Sequence, residues 1–294
     1  MVDQLRWVFL FLLKVIYMVH VFYLVFSQLA IGGFALLLLV PKGLVGRGFY
    51  RLMGGIYLLS ITLTRLAHLP INGHAINFRN FFFEWGGQDS IFTLLSFLLI
   101  LGYMVSLWLK SHIVHRYLLF AGAALGAIGI VYSAQPYLGR INLPAEQFLL
   151  PFQFLVSAVL LGAVNSGMWF GHWYLITPRL PIIYLKRFNQ IFLFSLLLSI
   201  LLFALNLFFR SQATDAVPLN IFYWIVLGMR LVIGFGGSLL MYFVIWDCLR
   251  DKSIERDAVG ATRAATGFLY IAMISVFMGE FSGRLLLLEV GFIL

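Results

Sequence analysis

The sequence predicts an all-α, polytopic membrane protein: a bundle of eight transmembrane helices with the N- and C-termini outside. Three observations carry that expectation. Of 294 residues, 62% are hydrophobic and only 11% are charged, with a mean hydropathy of +0.99. A soluble domain is about 45–50% apolar and about 25% charged, and a folded globule in water has no interior large enough to hide the difference. The apolar residues also fall into eight runs close to the roughly 20 residues that cross hydrocarbon. No strand-like alternation or polar domain interrupts them.

The spans are expected at about 17–40, 48–69, 89–109, 115–134, 150–176, 189–209, 220–247 and 264–288, so residues 1–294 read as a single transmembrane domain. The first run is longer than one span, and Arg6 and Lys14 interrupt its start. A tilted helix and an interfacial lead-in followed by a span both fit. The N-terminus begins like a signal peptide but lacks a small-residue cleavage site, so it reads as retained.

Lysine plus arginine number 20 and aspartate plus glutamate 11, for a net charge of +9. In a soluble protein that excess would point to nucleic acid; here its distribution assigns a topology instead. The segments after spans one, three, five and seven hold Lys42, Arg47, Arg51, Lys110, Arg116, Arg179, Lys186, Arg187, Arg250, Lys252, Arg256 and Arg263. Those after spans two, four and six hold only Arg79, Arg140 and Arg210. The odd loops are therefore expected in the cytoplasm, and no nucleic-acid partner is expected. Two stretches, GGFALLLLVPKGL (32–44) and FGHWYLITPRL (170–180), run through Gly-aromatic sequence into Pro41 and Pro178, and weakly suggest a four-plus-four repeat.

Few charges lie inside or at the ends of spans, and each asks for a reason. The segment HLPINGHAINFRNFFFEWGGQDS between spans two and three is the densest polar site, with His68, His74, Arg79, Glu84, Gln88 and Asp89. His68 should end span two, just after Arg65, and Asp89 should open span three. An imidazole and a carboxylate at neighbouring helix mouths can together take a proton from a hydroxyl held between them. Phe81, Phe82, Phe83 and Trp85 would wall such a site for a flat ring. The competing reading is an interfacial aromatic belt with a helix cap at Asp89.

Glu280 and Arg284, in MGEFSGR, have the favourable acid-first i,i+4 order and read as a structural ion pair, with Arg230 of span seven as a further partner. Asp247 reads as a solvated partner of Arg250. Asn165, Ser166, Gly167 and Gly171 form a small, polar surface where another helix can approach closely. His20 and His172, on different spans, are the only candidate axial pair for a haem b. His112 and His115 read as solvated loop residues. Gly234, Gly236 and Gly237 would permit a break in span seven, although no break is clear.

Cys248 is the only cysteine, which excludes an intrachain disulfide or a cysteine-held iron–sulfur cluster within this chain. There is no P-loop, HExxH, GxSxG or GxGxxG, and no metal-ligand spacing. Too few reactive groups are present for a self-contained hydrolase or transferase, and proton-coupled or hydride chemistry would need a partner or a diffusible cofactor.

The eight spans, FSQLAIGGFALLLLV in span one, His68, Asp89 and MGEFSGR together resemble the membrane-anchor subunit of dimethyl sulfoxide reductase, among the polysulfide-reductase-like quinol-interacting anchors. The resemblance is strongest at both ends and weak between Ala134 and Leu219. It implies a bacterial inner-membrane protein that binds quinol or quinone near the outer face and holds no cofactor of its own. It also implies an iron–sulfur partner subunit that feeds a molybdopterin catalytic subunit. His68 and Asp89 match the family's quinol-supporting histidine and acid, and Gln88, Arg79 and Glu84 would surround the ring. Two departures stand out: HLP replaces the family's HLG, and the acid is the shorter aspartate. Two alternatives remain: a non-catalytic scaffold or assembly protein of the same fold, and a di-histidine b-type cytochrome.

Overall fold

The computed structural model describes residues 2–40, 45–71, 76–83, 88–108, 112–138, 146–177, 180–211 and 221–290. Among them there is helix and connecting turn but no strand. The long helices are α1 (Val2–Leu36), α2 (Arg47–Ile71), α4 (Gln88–Ser106), α5 (His112–Ser133), α6 (Glu146–Ile176), α7 (Ile183–Ser211) and α11 (Ala258–Val290). Three short ones are α3 (Phe78–Phe83), α8 (Ile221–Gly228) and α10 (Asp251–Arg256). A π-helical segment, Met229–Gly237, joins α8 to α9 (Ser238–Cys248) in one continuous rod.

Six rods are long and apolar enough to cross a membrane: Met18–Leu39, Val114–Tyr137, Gln147–Ile176, Ile183–Phe209, Ile221–Cys248 and Ala258–Leu288. Their outward faces carry exposed Tyr117, Phe120, Phe194, Val232 and Ile274, the surface of a multi-pass membrane protein. α2 has spanning length but carries Arg51 and Arg65, and the apolar stretch of α4 is the shorter Ser90–Ser106.

The helices form two groups that meet at α1 and α6. α1 packs on α2 and α5, and α4 on α2 and α5; on the other side α6 packs on α7 and α11, and α11 on the π segment and α9. Small residues make the junction. A Cβ on Gly32 would run into the carbonyl of Ala158, and one on Gly162 into the backbone of Gly32, so these two backbones touch directly. Without water to drive association, such close packing holds helices together in lipid. The small polar face expected on span five is used in this way: Gly171 seats Thr266 of α11, and Ser166 meets Tyr57 of α2.

Hydroxyls within the helices satisfy themselves locally. Ser60, Thr62 and Thr64 of α2 each donate to the carbonyl four residues earlier, so α2 tolerates polar residues without exposing them to lipid. Tyr57 is different, because its ring fills the space left by Gly33 of α1 while its hydroxyl pairs with Ser166 Oγ of α6 at 2.7 Å. Tyr57→Phe is expected to cost about 1 kcal/mol, the scale of one net hydrogen bond. Thermal unfolding in detergent should show Ser166→Ala costing a similar amount and the double variant little more.

The π segment refines the expectation for span seven. The rod is not broken at its glycines; it is widened there. A Cβ on Gly234 would lie 2.6 Å from Cα of Gly279, so α11 crosses in contact with the segment's backbone. Ser275 of α11 donates to the carbonyl of Ile233 at 2.6 Å, giving a partner to a carbonyl in the widened turn.

Candidate functional site

Among the described residues, two polar centres built on buried arginines stand inside the bundle. The first lies where the end of α2 meets the start of α4. Arg65 is fully buried on α2. Its Nε donates to the carbonyl of Phe81 at 2.9 Å, and its Nη1 donates to the hydroxyl of the buried Ser90 on α4. One guanidinium therefore ties α2, α3 and α4 together. α3 is a short helix not anticipated from sequence, and Asn77 caps it by accepting from the Asn80 N–H at 2.8 Å. It carries Phe81 and Phe82 onto Phe97 of α4, with ring centroids 5.2 and 6.2 Å away, so both rings pack against the bundle.

The backbone of His68 stands one turn beyond Arg65, and that of Asp89 directly precedes Ser90. The Arg65–Ser90 contact thus draws together the helix ends that bear them. The side chains of His68, Gln88 and Asp89, and residues His74, Glu84 and Trp85, lie outside the described residues. Arg79, on α3, is exposed. Arg65 was readable as an intramembrane charge one turn before His68, but nothing in the sequence identified its partners.

The second centre is an ion network deep between the helices. Arg230 Nη1 donates to Glu280 Oε1 at 2.8 Å, and Arg284 Nη2 lies 3.4 Å from Glu280 Oε2. Arg284 also donates to Gln28 Oε1 at 3.0 Å and Ser157 Oγ at 2.8 Å, and Arg230 to Ser199 Oγ at 3.2 Å. All six residues are buried, and they come from α1, α6, α7, the π segment and α11. The expected structural pairing of Glu280 with Arg284 and Arg230 is what the fold contains. The guanidinium groups of Arg284 and Arg230 lie 4.2 and 4.5 Å from the ring centres of Phe154 and Phe235. A quadrupole facing each cation offsets part of the desolvation that one carboxylate cannot offset for two arginines. Gln28, Ser157 and Ser199 were missed in sequence because lone Gln and Ser residues in apolar runs give no spacing signal.

His115 corrects an expectation. It is buried on α5, not solvated, and its Nδ1 lies 2.7 Å from Ser106 Oγ at the end of α4. The reason is that the first turn of α5 packs on the last turn of α4, which brings the imidazole to Ser106. Asp247 pairs with Arg250 on the exposed rim, as expected.

His20 and His172 are not brought together. α1 and α6 run in parallel, since Gln28 and Ser157 share Arg284 while Gly32 touches Gly162 further along both rods. His20 precedes that contact and His172 follows it, which separates them by roughly 30 Å along the axis at 1.5 Å per residue. One haem cannot take both as ligands. Among the described residues, no three His, Cys, Asp or Glu side chains gather as a metal site. The chain matches no known family, characterised protein or solved structure.

Proposed function

We propose that this chain is the quinol-interacting membrane anchor of a multisubunit oxidoreductase in a bacterial inner membrane. Its eight spans would be α1, α2, α4, α5, α6, α7, the α8–α9 rod and α11, with both termini outside by the distribution of positive charge. A four-plus-four repeat draws support from α1 and α6, the first helix of each half, packed in parallel through Gly32 and Gly162. The observation that carries the reading is the Arg65 tie, which holds the helix ends bearing His68 and Asp89 side by side under Phe81 and Phe82.

Oxidising a quinol requires two protons to leave while two electrons depart. In this proposal His68 accepts one proton as a general base, and Asp89 takes or relays the other. Gln88, Arg79 and Glu84 surround the ring oxygens. Arg65 is a positioning residue: its Nε and Nη1 donors are already held by the Phe81 carbonyl and the Ser90 hydroxyl, so it sets the gap between the two mouths without touching the ring. Electrons pass to an iron–sulfur subunit docked outside and then to a molybdopterin catalytic subunit.

The test uses the assembled complex. His68→Ala is expected to lower the quinol-dependent rate at least 10²-fold, the usual share of a positioned base. Electron delivery from a soluble dye directly to the iron–sulfur subunit should remain at wild-type rate. Asp89→Asn should give a smaller loss that depends on pH. Wild-type quinol turnover in both variants would overturn the proposal and leave a scaffold protein of the same fold.

A further inference from the structure

At the end of the bundle with the positive excess, α7 and the end of α9 leave a cleft of about 480 Å³, walled by Lys186, Asn189, Gln190, Trp246, Arg250, Lys252 and the acidic Asp251. That volume falls within the range of small-molecule sites. Its charges are almost balanced, and the imbalance is informative. Lys186 pairs with Asp251 at 2.6 Å, and Arg250 pairs with Asp247 while lying over the Trp246 ring. Lys252 has no ion pair among the described residues, so the cleft carries one surplus positive charge. Asn189 adds a second, independent observation. Its residue is 3% exposed and its Oδ1 is buried with no hydrogen-bond partner, an acceptor awaiting a donor.

Beneath the cleft the surface turns apolar in two stripes. On α7, Phe194, Leu197 and Leu201 continue the face of Gln190 at helical spacing and are exposed. On α9, Phe243 and Leu240 continue the face of Trp246 and are exposed as well. A ligand that fits must combine one negative charge, a hydroxyl donor and two apolar chains running toward the membrane interior.

We propose that this cleft is a binding site for the headgroup of an anionic glycerophospholipid. The phosphodiester lies between Lys186 and Lys252, a headgroup hydroxyl donates to Asn189 Oδ1, and the acyl chains follow the stripes on α7 and α9. Basic pockets between helices at the membrane surface hold anionic headgroups by this combination of charge and burial.

The test is to purify the full chain in neutral detergent, titrate it with phosphatidylglycerol, and count retained lipids by mass spectrometry of the intact protein. One phosphatidylglycerol should bind saturably, with phosphatidylcholine failing to compete. Lys252→Gln and Lys186→Gln should each weaken binding about fivefold, the contribution of one basic residue near an anionic headgroup. Lys252 is exposed, so its replacement leaves the fold intact. Asn189→Ala should weaken phosphatidylglycerol but not phosphatidylmethanol, whose headgroup has no hydroxyl. Equal retention of phosphatidylcholine, or wild-type affinity in Lys252→Gln, would overturn the proposal. Displacement of the lipid by inorganic phosphate would also overturn it, in favour of a soluble phosphate ligand.

Discussion

Glu280→Ala should destabilise the folded protein by about 3–5 kcal/mol, because it strands two buried guanidinium groups with no counter-charge. Arg230 and Arg284 would keep Ser199, Ser157 and Gln28, but these are neutral acceptors. Glu280→Gln should cost nearly as much, since what is lost is charge and not shape. Replacing Arg230, Glu280 and Arg284 together by methionine should recover much of the loss, as removal of every charge in the network is far milder than removal of the carboxylate alone. Equilibrium unfolding in mixed micelles reads all three variants. A loss below about 1 kcal/mol for Glu280→Ala would show that water reaches the network and replaces the carboxylate.

Gly32→Ala should prevent the bundle from assembling, although it adds only one methyl group. The new Cβ would meet the backbone carbonyl of Ala158 on α6, and backbone has no rotamer with which to move away. α1 and α6 would have to separate along the seam that joins the two halves. Gly55→Ala on α2 is the matched control, because a Cβ there meets nothing within 4 Å. In an ordinary helix that change is favourable by about 1 kcal/mol. The expected outcome is little or no monodisperse protein for Gly32→Ala and wild-type yield for Gly55→Ala, measured by size exclusion after extraction in detergent.

The helices themselves were legible because hydrocarbon imposes a simple rule. Each backbone group must bond within its own rod, so a run of about 20 apolar residues has one regular solution. Each of the eight apolar runs lies in helix, and six of them form rods long and apolar enough to cross a membrane; the helix starts run past the expected ones, at Ala258 in place of 264, Glu146 in place of 150 and Val2 in place of 17. The α8–α9 rod shows where that rule stops. Its glycines marked a place where geometry could change, but the choice of a π turn depended on Gly279 and Ser275 arriving from α11.

For the polar centres, composition alone determined which residues needed partners, since an isolated charge in lipid is costly. The i,i+4 spacing of Glu280 and Arg284 was enough to pair them, because both lie on one helix. Arg65, His115, Gln28 and Ser157 could not be assigned in the same way. Their partners come from 9 to 256 positions away, and no periodicity within one rod encodes which face of another will meet it. That was decided by tertiary packing, through glycines that let particular backbones touch and so fixed which polar groups came within reach of one another.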